Sequence, residues 1–384
     1  MADPRLPSTP RSSARSPLER SLLGTLLLVC AAIGGLFALD TFLAGLERAD
    51  AAAEARRLFA AGRRLAAEGR NRDAAERFRA ALGLARGERT YQLALARALL
   101  AAGRPAAADT VLAELLAKDA TDGPANLMMA RVLRAEGQIP RAVSYYHRAI
   151  YGRWSGDAAP ERVRARFELI ELLAQREAPK ELLAELLAAE IDAPADLRTR
   201  KWLGRLFIQA GSPARAADLF RAILREHPGD ADAYAGIGEA QFAMGNYRAA
   251  RANLQQAARL DPGNSEIRAR LAACEEVLAL DPLQRGLGLD QQYRRSLRLV
   301  ELALDTLENC VGPTPPASVQ ALADSARRRL RHPARAAIAR REPDGFESNL
   351  DLAERLWELR TIACGRPAGA SRDPLGLVLA KIAQ

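Results

Sequence analysis

The side chains able to do chemistry are few and scattered. The three histidines are His147, His227 and His332. None has a Cys, Asp or second His at ligand spacing, so no metal site is expected. The sequence contains no G-x-S-x-G, no H-E-x-x-H and no glycine loop of the phosphate-cradling kind, and Gly286-x-Gly288 follows no strand. Glu275 and Glu276 are helical neighbours that do not face one cleft. No catalytic residue and no cofactor are therefore expected, and the chain reads as a non-enzyme. Of the four cysteines, Cys30 lies behind Val29 inside an apolar run, a poor lipoprotein site, and Cys274 reads as a small core residue of a helix. Cys310 and Cys364 are left as the pair with a chemical prospect.

The elements that carry these groups are helices. Apolar residues make up 49% of the 384 positions but aromatics only 5%, so Ala and Leu supply the excess, and both favour close-packed helices. Val, Ile and Thr form no alternating run, and no strand is expected. The net charge of +9 comes almost wholly from arginine, since the lysines are only Lys118, Lys180, Lys201 and Lys381. Such a balance suits anionic lipid or acidic partners, or reflects arginine usage alone. No zinc-finger spacing or single-strand-binding signature is present, so nucleic acid is not expected.

Residues 1–20 are rich in Pro, Ser and Arg and read as a disordered cytoplasmic tail. Ser21 to Leu39 then runs without a charge, and as a helix its 19 residues rise about 28 Å, one hydrocarbon core. The run is long for a signal peptide, so residues 21–39 are expected to be a transmembrane helix, followed by a linker or juxtamembrane helix at 40–54. Arg5, Arg11, Arg15 and Arg20 precede the span, and Arg48, Arg56 and Arg57 follow it. This weak asymmetry favours a single-pass protein of a bacterial inner membrane with most of its chain in the periplasm.

From residue 55 to 280 the pattern repeats. Gly69, Gly103 and Gly137 are 34 apart, as are Gly211 and Gly245; Glu177 stands 34 before Gly211. A six-residue insertion near 151–160 is the one break. After each turn position comes a helical stripe, such as Ala74, Phe78 and Ala81, or Ala216, Phe220 and Ile223. Gly204, Phe207, Ala216, Phe220 and Pro228 in one unit, and Tyr234, Gly238, Ala250, Ala257 and Pro262 in the next, resemble the tetratricopeptide repeat. Six units begin near Ala55, Arg89, Gly123, Val163, Leu197 and Ala231, with a partial seventh from Ser265. The resemblance implies an all-α fold: a right-handed tetratricopeptide-type α-solenoid that binds polypeptides along a concave groove. It also implies which residues line that groove. The position after the small residue of each first helix reads Arg63, Arg97, Arg131, Glu171, Arg205 and Glu239, with Phe242 on a neighbouring position. Guanidinium groups in such a ladder hold carboxylates of a peptide, or the row is simply a solvated face. Phe59, Leu93, Leu127 and Ile208 offer apolar contact in the groove or pack between units.

Residues 281–384 read as a C-terminal helical cap. Its first helix is expected over Leu289–Asn309, its second over Ala317–Arg341 with a bend at Pro333, and its third over Phe346–Ala363. In an up-down-up bundle the first and third helices are parallel, so Cys310 and Cys364 end side by side. An oxidising compartment then permits a disulfide stabilising the cap by roughly 3–4 kcal/mol on the chain-entropy model. Arg327, Arg328, Arg329, Arg331, Arg335, Arg340 and Arg341 suit anionic lipid headgroups or an acidic partner, or form a solvated face. The tail from Pro374 to Gln384 docks on the cap or inserts in a partner. Three roles fit: a membrane-tethered scaffold that recruits polypeptides at the cell envelope, a permanent structural subunit of a membrane complex, and a cytoplasm-facing regulator.

Overall fold

The computed structural model describes residues 17–192, 194, 196–312, 316–331, 344–365 and 373–383, and among these it is helical, with one isolated bridge between Asp122 and Arg153. The chain divides into two compact units, residues 1–166 and 167–384.

Unit one contains α1 (Pro17–Ala67), α2 (Asn71–Leu84), α3 (Arg89–Ala101), α4 (Pro105–Lys118), α5 (Gly123–Ala135), α6 (Ile139–Tyr151) and the start of α7 (Ala159–Gln175). The first helix has 51 residues and is about 76 Å long at 1.5 Å per residue. Its last turns form the first helix of repeat one. There Gly62 lies so close to Phe78 that an added Cβ would stand 2.7 Å from the ring. Its earlier part leaves Leu28, Ile33, Leu36, Phe37 and Phe42 exposed. Among the described residues no helix is long and apolar enough to cross a membrane. Of the expected disordered tail over 1–20, residues 1–16 lie outside the described residues, whereas 17–20 already belong to α1; the side chains of 21–27 and Cys30 within the expected span also lie outside the described residues.

Two local devices build each helix pair. First helices open on a side-chain cap: Glu88, Asp122, Asp196, Asp230 and Asn264 each accept a hydrogen bond from a backbone N–H of the first turn. Between the two helices of a pair, the turn residues Gly69, Gly103, Gly137, Gly211 and Gly245 have φ between +73° and +76°, the left-handed region that glycine enters without penalty. Glu177 takes the same turn with φ +51°, and it has the only positive φ of a non-glycine among the described residues.

The insertion after α6 folds back on the loop between α4 and α5. The Gly123 N–H donates to Arg153 O at 2.8 Å, and the Arg153 N–H to Thr121 O at 2.7 Å. Trp154 donates its indole N–H to Ala149 O at 2.8 Å and fills the space beside Gly123 where any side chain would stand. The extra residues therefore brace the repeat they interrupt.

Unit two continues α7 and adds α8 (Pro179–Asp192), α9 (Leu197–Gln209), α10 (Pro213–Glu226), α11 (Ala231–Ala243), α12 (Tyr247–Leu260) and α13 (Ser265–Leu280). Phe220 of α10 is fully buried between Gly204 of α9 and Gly236 of α11. The cap follows: α14 (Leu289–Val311), α15 (Ala317–Arg331), α16 (Asp344–Cys364) and α17 (Pro374–Ile382). Its core joins Leu254 and Val277 of the repeats to Leu299, Leu304 and Leu307, Val319 and Ala323, Leu356, and Leu375, Val378 and Leu379. Helices α14 and α16 run in the same direction. Near one end buried Asn349 donates to buried Ser296 Oγ at 2.9 Å, 53 residues away in sequence; at the other Cys310 and Cys364, 54 apart, are joined as a disulfide with Cα atoms 6.3 Å apart. Helix α15 is described to Arg331; the expected bend at Pro333, and Arg335, Arg340 and Arg341, lie outside the described residues.

Candidate functional site

In unit one, Gly62, Ala96 and Ala130 are buried at helix crossings, so the following residue on each helix faces away from the core. Arg63 of α1 and Arg97 of α3 are exposed, and among the described residues neither has an ion-pair partner. Arg131 of α5 is half-buried and engaged. The apolar neighbours are packed rather than open: Phe59 stacks on Tyr91 at 4.5 Å and tilts against Phe78 at 5.4 Å, and Leu127 is buried. Leu93 is half-buried.

In unit two Arg205 and Glu239, two of the three same positions, are answered within the chain. Arg205 of α9 lies 3.8 Å from Asp232 of α11. Lys201, one turn earlier, places its Nζ 2.6 Å from Asp230 and 3.0 Å from Asp232. Burial alone would lower the Lys201 pKa, but hydrogen bonds to the two carboxylates outweigh it and the pKa is raised. Glu239 of α11 is half-buried and pairs with Arg270 of α13, which also meets Glu266 at 2.6 Å. Arg200 forks onto both oxygens of Glu226 at 2.8 and 2.5 Å, which holds that carboxyl below its usual range. Phe242 is half-buried with its ring edge-on to Tyr247 at 5.1 Å. Glu171 is exposed. The sequence-predicted groove residues thus separate into an open pair, Arg63 and Arg97, and an internally satisfied set, Arg205, Glu239 and Phe242.

Sequence reasoning missed these cross-repeat ion pairs, although they leave a signal. A basic residue early in one first helix is followed about one repeat later by an acid at the start of the next: Arg89 forks onto Asp122, and Lys201 reaches Asp230. The acids do double work, since Asp122 and Asp230 also cap α5 and α11. Twenty-seven residues after Arg205 comes Asp232; the same step from Arg63 and Arg97 reaches Thr90 and Pro124. The insertion carries its own pair: Arg153 bonds Asp119 at 2.7 Å and, with Thr121, holds that carboxyl down to about 2.

Cys274 is buried and donates to Tyr247 O at 3.1 Å; burial pushes its thiol up to about 11, so it is a poor nucleophile. Among the described residues no group of three or more His, Cys, Asp or Glu is placed to hold a metal.

Stacked helix pairs joined by left-handed turns define a helical repeat protein. Two family models, both described as tetratricopeptide repeat, match it, one at residues 65–132 and 207–252 and the other at 127–196 and 235–279. Together they take in more than half of the sequence, and the chain belongs to the tetratricopeptide repeat family. Membership indicates a protein-interaction scaffold. No curated protein matches the chain. Among solved structures, YrrB, a TPR protein with an unusual peptide-binding site, is 20% identical, with a TM-score of 0.41 over 51% of this chain and 97% of that one. The C-terminal part of a TPR repeat-containing protein from Cytophaga hutchinsonii is 15% identical, with a TM-score of 0.45 over 58% and 86%. The TPR2AB-domain:pHSP90 complex of yeast Sti1 is 14% identical, with a TM-score of 0.27 over 80% and 98%. Overlaps this loose carry no inference about this chain.

Proposed function

We propose that the chain is a membrane-tethered, non-enzymatic scaffold that holds acidic polypeptides on the first helices of unit one. The observation that carries this reading is the open pair Arg63 and Arg97: exposed guanidinium groups at equivalent positions of successive repeats, with Thr90 and Pro124 where unit two has Asp232. An arginine with no carboxylate of its own chain is available to fork onto one from outside. The tether is the charge-free run from Ser21 to Leu39, carried on the same helix that becomes the first helix of repeat one. Tethering raises the local concentration of a recruited partner at the membrane. Disulfide-bonded Cys310 and Cys364 favour an oxidising compartment, hence a bulk facing the periplasm of a bacterial inner membrane.

The test is denaturing alkylation of intact cells with a mass-shift readout, combined with membrane fractionation. The proposal expects the chain in the membrane fraction, with Cys310 and Cys364 blocked until reductant is added. Free labelling of both without reductant overturns the periplasmic placement and favours a cytoplasm-facing regulator.

A further inference from the structure

The last helix, α17, is nine residues long, too short to be stable alone in water. It is nonetheless complete as a unit. Asp373 accepts from the Gly376 N–H at 3.2 Å to cap it, and Pro374 occupies its first turn. Its stability comes from its seat on α13, α14 and α16. Leu375, Val378 and Leu379 are buried there, at the i, i+3, i+4 spacing of a helix that lays one face into a groove. Gly376 is pressed so close to Trp357 that an added Cβ would stand 2.8 Å from the indole.

The far end of the seat is electrostatic. Asp281, just past the end of α13, is 2% exposed; its carboxylate accepts from the Leu283 N–H at 2.9 Å and from Lys381 Nζ at 2.7 Å. Lys381 is thus the countercharge of a buried acid, and beside it opens a recess of about 540 Å³ bounded in part by Tyr247, Gln284 and Arg285. A buried carboxylate that loses its cation is costly, so the seat selects an occupant with a basic residue at that position.

We infer that this seat is a docking site for short amphipathic helices, whose resident occupant is the chain's own tail. A visiting helix with aliphatic residues at i, i+3 and i+4, a small residue at i+1 and a lysine or arginine at i+6 enters by displacing α17. The resident tail competes at an effective concentration on the order of millimolar, so the seat is closed to weak visitors while the tail is docked.

The experiment uses the full chain and a fluorescein-labelled peptide with the sequence from Asp373 to Gln384, read by anisotropy. The wild-type chain is compared with Leu379→Asp, which loosens the resident tail. The peptide is expected to bind the variant at least about tenfold more tightly than wild type, and a peptide with glutamate in place of Lys381 is expected to lose that binding. Equal binding to both chains, or no binding to the variant when hydrogen exchange shows residues 374–382 released, overturns the inference. Should Leu379→Asp disturb folding, Lys381→Glu in the full chain releases the tail by charge alone, and the same two peptide outcomes decide. The arginines of unit one take no part in this test.

Discussion

Arg97 in unit one and Arg205 in unit two stand at the same place in the repeat, yet one is open and the other is answered. Both follow a small residue at a helix crossing, Ala96 and Gly204, and both are exposed. What separates them lies on the next repeat: Pro124 for Arg97, Asp232 for Arg205. Unit two consumes its charges in holding its repeats together, with Lys201, Arg205 and Arg270 each paired across or along helices. It also carries the disulfide. At the groove positions of unit one, Arg63 and Arg97 have no ion-pair partner among the described residues. The lesson is that residue type at a groove position does not decide whether a cation is open to an outside carboxylate; the absence of an internal counter-ion does.

The largest effect that can break this contrast is covalent. Cys364→Ser should lower the stability of unit two by roughly 3–4 kcal/mol on the chain-entropy estimate, seen as a denaturant midpoint that falls for probes in unit two and not for probes in unit one. A midpoint that does not move in an oxidised preparation would remove the disulfide from the account.

Next come the ion pairs. Lys201→Ala leaves the largely buried Asp230 without its cation, while Asp232 keeps only the longer contact to Arg205, and should cost about 2 kcal/mol. Arg97→Ala should change stability by less than about 0.5 kcal/mol, because nothing in the chain depends on it. Paired thermal melts check both, and equal losses would mean that Arg97 is structural too.

The smallest effect is in the backbone. Glu177→Gly relieves a left-handed conformation that costs a side-chain-bearing residue about 1–2 kcal/mol, against a glycine entropy cost of about 0.5–1 kcal/mol. A net gain of about 0.5 kcal/mol is expected in the same melts, and destabilisation would show that the glutamate side chain contributes something at that turn.

Much of the fold was legible because the repeat announces itself through residues with narrow roles. Turn glycines at a 34-residue step mark left-handed positions, and Asp or Asn before a first helix marks a cap. Gly204 and Phe220 were legible as repeat positions, but the packing of the ring against the glycine is seen only in the fold. The fourth repeat was harder to place: its first helix begins at Ala159, ahead of the periodic start near Val163, because the insertion ends in Asp157, which accepts from the Ala159 N–H. The seat of Trp154 beside Gly123 was not legible, since only the fold brings an inserted loop against a loop about thirty residues earlier. The candidate site was half legible. Family position located the arginines, but which of them are open depends on acids one repeat away. That spacing signal becomes visible only when each cation is read against the start of the following repeat.

The most direct measurement is the affinity of a labelled Asp/Glu-rich peptide for the full chain and for Arg63→Ala, Arg97→Ala and Arg205→Ala, at low and at high salt. The account predicts that the first two substitutions each weaken binding severalfold and flatten its salt dependence, while Arg205→Ala leaves it unchanged. Equal weakening by Arg205→Ala, or no weakening by Arg63→Ala and Arg97→Ala, would contradict it.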